Sequence, residues 1–285
     1  MITNYLKGKE IAKEIKQNVK EKLQTLSFKP KLVSILASQD GGAKYYAKKQ
    51  KKSFEKIGID CEILELPDTV SQTELINEIK KLNKDENVHG ILLLLPLPQG
   101  IDRVQLINYI DPGKDVEGIT PANLGKLFYG DFKIAPCTAK AVYLMLEDTK
   151  ISLAGKEIVV ISHSDIVGKP LLPMLLSSLN ESPTPVCCHI ATKDLRFHTS
   201  RADIIICAAG KASLVTGDMI KEGAILIDVG INPVVDKETN KTKIVGDIDE
   251  ESVKGIASIL TPVPGGVGTV TTAVLMQNLA NLLVE

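Results

Sequence analysis

The sequence predicts an α/β protein of two domains, on three observations. Helix-like and strand-like apolar segments alternate along the chain, which is the signature of layered α/β domains. Its 285 residues suffice for two sizeable cores. Finally, Lys156–Leu172, KEIVVISHSDIVGKPLL, reads as strand, tight polar turn and helix N-terminus. Such a unit commonly seats a dinucleotide pyrophosphate, because the first helical amides converge on the anion. Glu157–Ile161 is rich in β-branched residues, Ser162–Val167 forms the turn, and Gly168 opens the helix. Pro170 is tolerated in the first helical turn, where its missing N–H is not needed. The standard fingerprint has glycine where this chain has Ser162. Taken alone, the stretch is either a cofactor turn or an ordinary strand-to-helix turn.

The remaining elements follow from periodicity. Lys7–Leu26 carries Ile11, Ile15, Val19 and Leu23 on one face of a helix. Lys31–Leu36 is a strand, Gln39–Ala43 a turn with two glycines, and Lys44–Ile57 a helix ended by Gly58. Ile59–Leu66 is a strand and Gln72–Leu82 a helix. His89–Leu95 (HGILLLL) is a continuous apolar run that suits a central parallel strand buried on both faces. Pro96–Gln99 cannot continue that strand and forms a loop at its carboxyl end, where ligand crevices of open α/β sheets lie. Asp111–Asn123 is turn-rich, and its charges either line the same crevice or are simply solvated. A domain boundary falls near Lys133–Leu146, where KIAPCT leads into a helix over Ala139–Leu146. The second domain reads βαβαβ through Glu157–Ile161, Val186–His189 and Asp203–Cys207. Ala208–Lys211 turns, Ala224–Val229 is a fourth strand ending in Gly230, Ile231 and Asn232, and Pro233–Thr242 is a polar hairpin or excursion. Lys243–Gly246 is an edge strand. Thr261–Gly268 (TPVPGGVG) is a rigid turn whose glycines admit close approach of a ligand. The last helix, Thr269–Leu283, aligns Val270, Val274, Leu275, Leu279 and Leu282, and is long enough to pack back on the first domain.

Composition excludes several classes. The net charge of −1 gives no basis for nucleic acid or an anionic membrane as partner. The N-terminal segment is polar, and no apolar run reaches membrane-spanning length. The five cysteines, at 61, 137, 187, 188 and 207, fit neither a disulfide framework nor a zinc pattern. They indicate a reducing, cytoplasmic compartment, with the adjacent Cys187 and Cys188 packed in a strand. The four histidines lack metal spacing, so no metal is expected. Tyr46 and Gln50 share one helix face, flanked by Lys49 and Lys51. His163 sits in the turn after the cofactor-type strand. His189 ends the next strand, in either a structural or a ribose-binding role.

Taken together, these stretches resemble the bifunctional methylenetetrahydrofolate dehydrogenase/cyclohydrolase family over nearly the whole chain. The resemblance is carried by the Tyr46 helix ending at Gly58, by HGILLLLPLPQ at 89–99 and by DPGKDVEGITPANLGKL at 111–127. It continues through PCT at 136–138, VVISHSDIVGKP at 159–170, ADIIICAAG at 202–210, GAILIDVGIN at 223–232 and TPVPGGVG at 261–268. It implies a three-layer αβα folate-binding domain (residues 1–138 with 269–285), a Rossmann-like NAD(P)-binding domain (139–268) and a homodimer. It also implies NADP-dependent oxidation of 5,10-methylenetetrahydrofolate and hydrolysis of the methenyl product to 10-formyltetrahydrofolate. The implied catalytic positions are Tyr46, Gln50, Leu94 and Glu117. The folate-binding ones are Tyr46, Pro96, Leu97, Pro98, Glu117, Pro264, Gly265 and Gly266. The cofactor-binding ones are Ser162, His163, Ser164, Val167, Gly168, Ile190, Ala209, Gly210, Gly230, Ile231 and Asn232.

Several of these positions depart from the family pattern. The family has Tyr-x-x-x-Lys where this chain has Tyr46 and Gln50, and a glutamine before Leu-Pro-Leu-Pro where it has Leu94. It has Lys-Asp-Val-Asp-Gly where the second aspartate is here Glu117. In the family the lysine is the acid/base of the hydrolytic step, the glutamine tunes it, and the aspartate holds the pterin. Gln50 has no proton to exchange near neutral pH, and Leu94 neither donates nor accepts. Glu117 keeps the charge but reaches one methylene further. Family Gly-Arg-Ser is here Ser162-His163-Ser164, and a family serine is Ile190. Residues 139, 141 and 269 also differ, as Ala, Ala and Thr. The substitutions at His163 and Ile190 point to NAD, or to no cofactor, rather than NADP. Besides the bifunctional enzyme, two readings stand: a degenerate or dehydrogenase-only homologue, and a non-catalytic folate-binding or structural dimer.

Overall fold

The computed structural model describes residues 1–235 and 241–284. They form two compact units. One comprises Lys13–Lys126, Asp131–Cys137 and the C-terminal segment from Thr272. The other comprises Met1–Ala12, Leu127–Gly130 and Thr138–Thr271.

In the first of these units a parallel three-stranded sheet runs Asp60–Glu65, Lys31–Leu36, Gly90–Leu93. Val33, Ile35, Ile91 and Leu93 pack with Leu75 and Ile79 of the Gln72–Lys84 helix and with Leu106 and Ile110. That helix begins with a capping box in which Ser71 and Glu74 satisfy each other's backbone amides. The run expected to be a central strand is an edge strand, and Lys31–Leu36 is central. Its burial has another source. Ile91 bridges to Asp115 along the open edge, its N–H donating to the Lys114 carbonyl at 2.7 Å. On one face Leu279 of the C-terminal helix fills the space beside Gly90, so a Cβ there would come within 2.9 Å of it.

The glycine pair at 41–42 does not form a turn. It opens the Gly41–Glu55 helix, whose N-cap Asp40 accepts from the Ala43 amide at 2.7 Å. One accepting side chain thus offsets the low helix propensity of two glycines. Gly58, at φ +94°, ends the segment as expected.

The other unit holds a six-stranded parallel sheet in the order Asn4–Tyr5, Ile259–Leu260, Ile225–Asp228, Ile204–Cys207, Glu157–Ile161, Thr184–Cys188. The two-residue strands at its start were not legible from alternation, being too short to show a period. A core of Val159, Ile161, Ile205, Leu226, Ile248 and Val253 backs the sheet. Lys243–Gly246 was expected at the sheet edge. Instead Thr242–Val245 pairs antiparallel with Asn232–Val235 in a separate ribbon. The middle of the expected Pro233–Thr242 hairpin, residues 236–240, lies outside the described residues. The C-terminal helix is Val267–Leu283, with Val270, Val274, Leu275 and Leu279 buried. No helix among the described residues is long and apolar enough to cross a membrane.

Candidate functional site

The Gly41–Glu55 helix buries Ala43, Ala47, Gln50 and Phe54 on one face. Gln50 is 5% exposed, and its Oε1 has no hydrogen-bond partner among the described residues. An unpaired buried amide oxygen costs about 1–3 kcal/mol. One turn earlier, the Tyr46 ring is 53% exposed. Partial burial pushes the Tyr46 phenol pKa up, and Cys137 and Glu117 act in the same direction. Cys137 Sγ lies 3.5 Å from the Val116 carbonyl and 3.8 Å from that of Glu117, a contact to which sequence reasoning assigned no role.

The loop carrying Glu117 is rigidly built. The Asp115 carboxylate accepts from the amides of Gly118 at 2.9 Å and Thr120 at 2.8 Å, and from Asn123 Nδ2 at 3.0 Å. Gly118 has φ +71°, and a Cβ there would lie 2.5 Å from the Ala135 backbone, so only glycine fits. Asn278, a polar residue in an apolar helix, donates to the carbonyls of Val116 and Ala135, both at 2.9 Å. Leu94 is buried at the strand end, Pro96 is exposed, and Leu97 packs against the sheet's core. The Leu95–Pro96 peptide is cis.

Burial pushes the Glu117 carboxyl up to about 7; Arg103 opposes this and Asp115 reinforces it. The native state thus holds this proton more tightly than the unfolded chain. The resulting stabilisation is full below the ordinary value of 4.5 and is lost as pH rises through about 7. Glu117 retains some solvent contact, so about 1–2 kcal/mol is expected after screening. Urea unfolding of the natural chain and of Glu117→Gln, at low and at high pH, checks this. The variant should lose that increment of pH dependence, and identical pH profiles would contradict the assignment.

In the other unit, the turn after Glu157–Ile161 is closed by its own serines. The Ser164 amide donates to Ser162 Oγ at 3.3 Å, and the Val167 amide to Ser164 Oγ at 3.2 Å. The Ser162 hydroxyl, 3.1 Å from that of Ser164, is thereby engaged inside the turn. The Gly168–Leu175 helix starts as expected. A Cβ on Gly168 would lie 1.9 Å from the Ser162 carbonyl oxygen. His163 and His189 stack, with ring centroids 4.9 Å apart and planes 5° from parallel. Ile190 projects into solvent, 99% exposed. Ala209 and Gly210 follow one strand end, and Gly230, Ile231 and Asn232 follow the next. Pro264, Gly265 and Gly266 also belong to this unit. There Gly8 donates to the Gly265 carbonyl at 2.9 Å, and Val263–Pro264 is cis.

The fold and these sites define a class: an α/β protein with a dinucleotide-type turn in one unit and the Tyr46 helix and Glu117 loop in the other. Comparison with known proteins narrows it. The model for the tetrahydrofolate dehydrogenase/cyclohydrolase catalytic domain matches residues 6–117, and that for the family's NAD(P)-binding domain matches 136–285. The bifunctional protein FolD of Caldanaerobacter subterraneus subsp. tengcongensis is 43% identical over 271 residues, covering 95% of this chain and 93% of that one. The crystal structure of the Campylobacter jejuni bifunctional enzyme FolD, a methylenetetrahydrofolate dehydrogenase/cyclohydrolase, superposes with a TM-score of 0.91 at 41% identity, covering 98% of each chain. The Trypanosoma brucei enzyme, solved with NADP cofactor and inhibitor, gives 0.91 at 34% identity, covering 99% of this chain and 97% of that one. The chain belongs to the tetrahydrofolate dehydrogenase/cyclohydrolase family.

Proposed function

We propose that this chain carries out the family's chemistry on 5,10-methylenetetrahydrofolate, oxidising it with NAD(P), while its hydrolysis of the methenyl product is greatly slowed. The observation that carries this is the buried Gln50 one turn from Tyr46, where the family pattern has lysine. Hydride transfer needs the folate and the nicotinamide held in line, a matter of positioning. Hydrolysis also needs a group that exchanges a proton, and Gln50 has none. Tyr46 and Glu117 remain to hold the pterin, with Leu94, Pro96, Leu97 and Pro98 of the same unit as its walls. Residues 1–138 with 269–285 are the folate-binding part, and 139–268 the cofactor-binding part. Assays following reduced cofactor and methenyltetrahydrofolate separately test this reading. Methylene-dependent reduction of NAD(P) is expected, and its absence with both cofactors would overturn the proposal.

No preference for NADP is expected. A 2′-phosphate needs charged or polar partners when it leaves water, and arginine supplies them in a fixed fork. His163, already stacked on His189, has no bidentate donor fork to offer a phosphate. Ile190 offers no donor. Calorimetric titration near pH 7.5 should give weak affinities, with the two cofactors within about tenfold, or 1.4 kcal/mol, of each other. NADP binding more than tenfold tighter would show that another group has replaced the arginine.

The chain is proposed to act as a cytoplasmic homodimer joined through its cofactor-binding units. Its free cysteines support a reducing compartment, and the exposed Leu176 and Leu179 of the cofactor-binding part support self-association. Sedimentation equilibrium at micromolar concentration should show a dimer, and a monomer alone would contradict it.

A further inference from the structure

Asp247 is fully buried, and its carboxylate accepts four N–H donors. They are the backbone amides of Ala209 at 2.6 Å, Gly210 at 2.9 Å and Lys211 at 2.9 Å, and Asn232 Nδ2 at 2.8 Å. Three consecutive amides of the loop after Ile204–Cys207 thus close on one side chain. A carboxylate has about four acceptor sites, so this one is saturated.

Asp228, 3% exposed, anchors the backbone that carries Asp247. It accepts from the amides of Asp247 at 2.9 Å, Ile248 at 2.8 Å and Gly230 at 3.0 Å. Contact is close throughout: a Cβ on Gly230 would lie 2.2 Å from the Asp247 carboxyl, and one on Gly246 1.9 Å from that of Asp228.

The segments joined in this way follow the carboxyl ends of two adjacent sheet strands, Ile204–Cys207 and Ile225–Asp228. In an open α/β sheet the ligand crevice lies outside those ends. Loops there are ordinarily the mobile part of the fold. An amide already bonded to Asp247 is not available to a phosphate, so residues 209–211 do not form an anion-binding nest.

We propose that Asp247 is the positioning residue of the cofactor crevice. From inside the protein it locks the Ala209–Lys211 loop to Asn232, so that the loop meets the dinucleotide in one shape. The proposal rests on reading this unit as the NAD(P) site.

The test uses the full chain. Asp247→Asn replaces one acceptor oxygen by a donor and so opposes N–H to N–H in the loop. Calorimetric titrations with NAD, NADP and tetrahydrofolate are run on the natural chain, on Asp247→Asn and on Asn232→Ala. Dinucleotide affinity should weaken about tenfold or more in Asp247→Asn, about 1.4 kcal/mol. It should weaken about threefold in Asn232→Ala, which removes one of four donors. Tetrahydrofolate affinity should stay within about twofold in both. Dinucleotide affinity unchanged in a folded Asp247→Asn overturns the proposal, as does equal loss of both ligands, the mark of a general structural role. If Asp247→Asn does not fold, Asn232→Ala decides by the same criteria. A natural chain that binds neither dinucleotide refutes the cofactor-site reading itself, whereas binding that the variants leave untouched refutes only the positioning role.

Discussion

Enzyme-dependent hydrolysis of 5,10-methenyltetrahydrofolate by this chain should run about 10²–10⁴-fold below that of a lysine-bearing relative. The range is what a positioned acid/base ordinarily contributes. An amide at position 50 can orient water or substrate, but it cannot take a proton from one and pass it on. Its surroundings reinforce the effect. Gln50 Oε1 is sealed from solvent without a partner among the described residues, and the buried Leu94, where the family has glutamine, neither donates nor accepts. Gln50→Lys alone should therefore recover little, because a buried ammonium without partners is driven toward its neutral form. Pairing it with Leu94→Gln should recover more than the two single changes combined, since residues that act as a unit do not add. Single-turnover hydrolysis assays on the four proteins check both statements. A natural chain hydrolysing the methenyl form at order 10 s⁻¹ would contradict the first.

Gly168→Ala should abolish cofactor binding and destabilise the fold by about 3 kcal/mol. The added Cβ would fall 1.9 Å from the Ser162 carbonyl oxygen and 2.4 Å from its carbon. Both are backbone atoms, so relief requires opening the turn that Ser162 and Ser164 hold closed. The first amides of the Gly168–Leu175 helix would then lose the direction that suits a pyrophosphate. Denaturant unfolding reads the stability and titration with NAD reads the binding. A variant matching the natural chain in both would show that the turn does not hold the cofactor.

The sequence made the architecture legible where apolar period and punctuation agree. Gly168, Gly58 and the strands ending at Ile161 and Cys207 fall as read, because strand length and glycine placement carry that information locally, whereas the strand read as Val186–His189 is Thr184–Cys188 and leaves His189 outside it. Legibility failed where long-range partners decide. GILLL at 90–94 is buried enough for a central strand, yet its second edge is covered by the Lys114–Asp115 bridge and not by another full strand. Gly41 and Gly42 suggest a turn until Asp40 caps the helix.

In the site, Tyr46, Gln50 and Glu117 were visible through the resemblance, Cys137 only as part of PCT and without a role, and Asn278 and Asp247 not at all. Their importance lies in contacts far along the chain: Asn278 to Val116 and Ala135, Asp247 to Ala209 and Asn232. A signal was nonetheless present. Asn278 interrupts the apolar face of VLMQNLANLL, and Asp247 stands inside the otherwise uncharged run IVGDI. A polar residue in such a setting must be satisfied from elsewhere.

The most direct test is one progress curve on 5,10-methylenetetrahydrofolate with NAD and then NADP, measuring reduced cofactor, methenyltetrahydrofolate and 10-formyltetrahydrofolate together. Reduced cofactor and the methenyl form should appear in equal amounts, with the 10-formyl form rising only at its enzyme-free rate. Enzyme-dependent 10-formyltetrahydrofolate keeping pace with reduced cofactor would contradict the account.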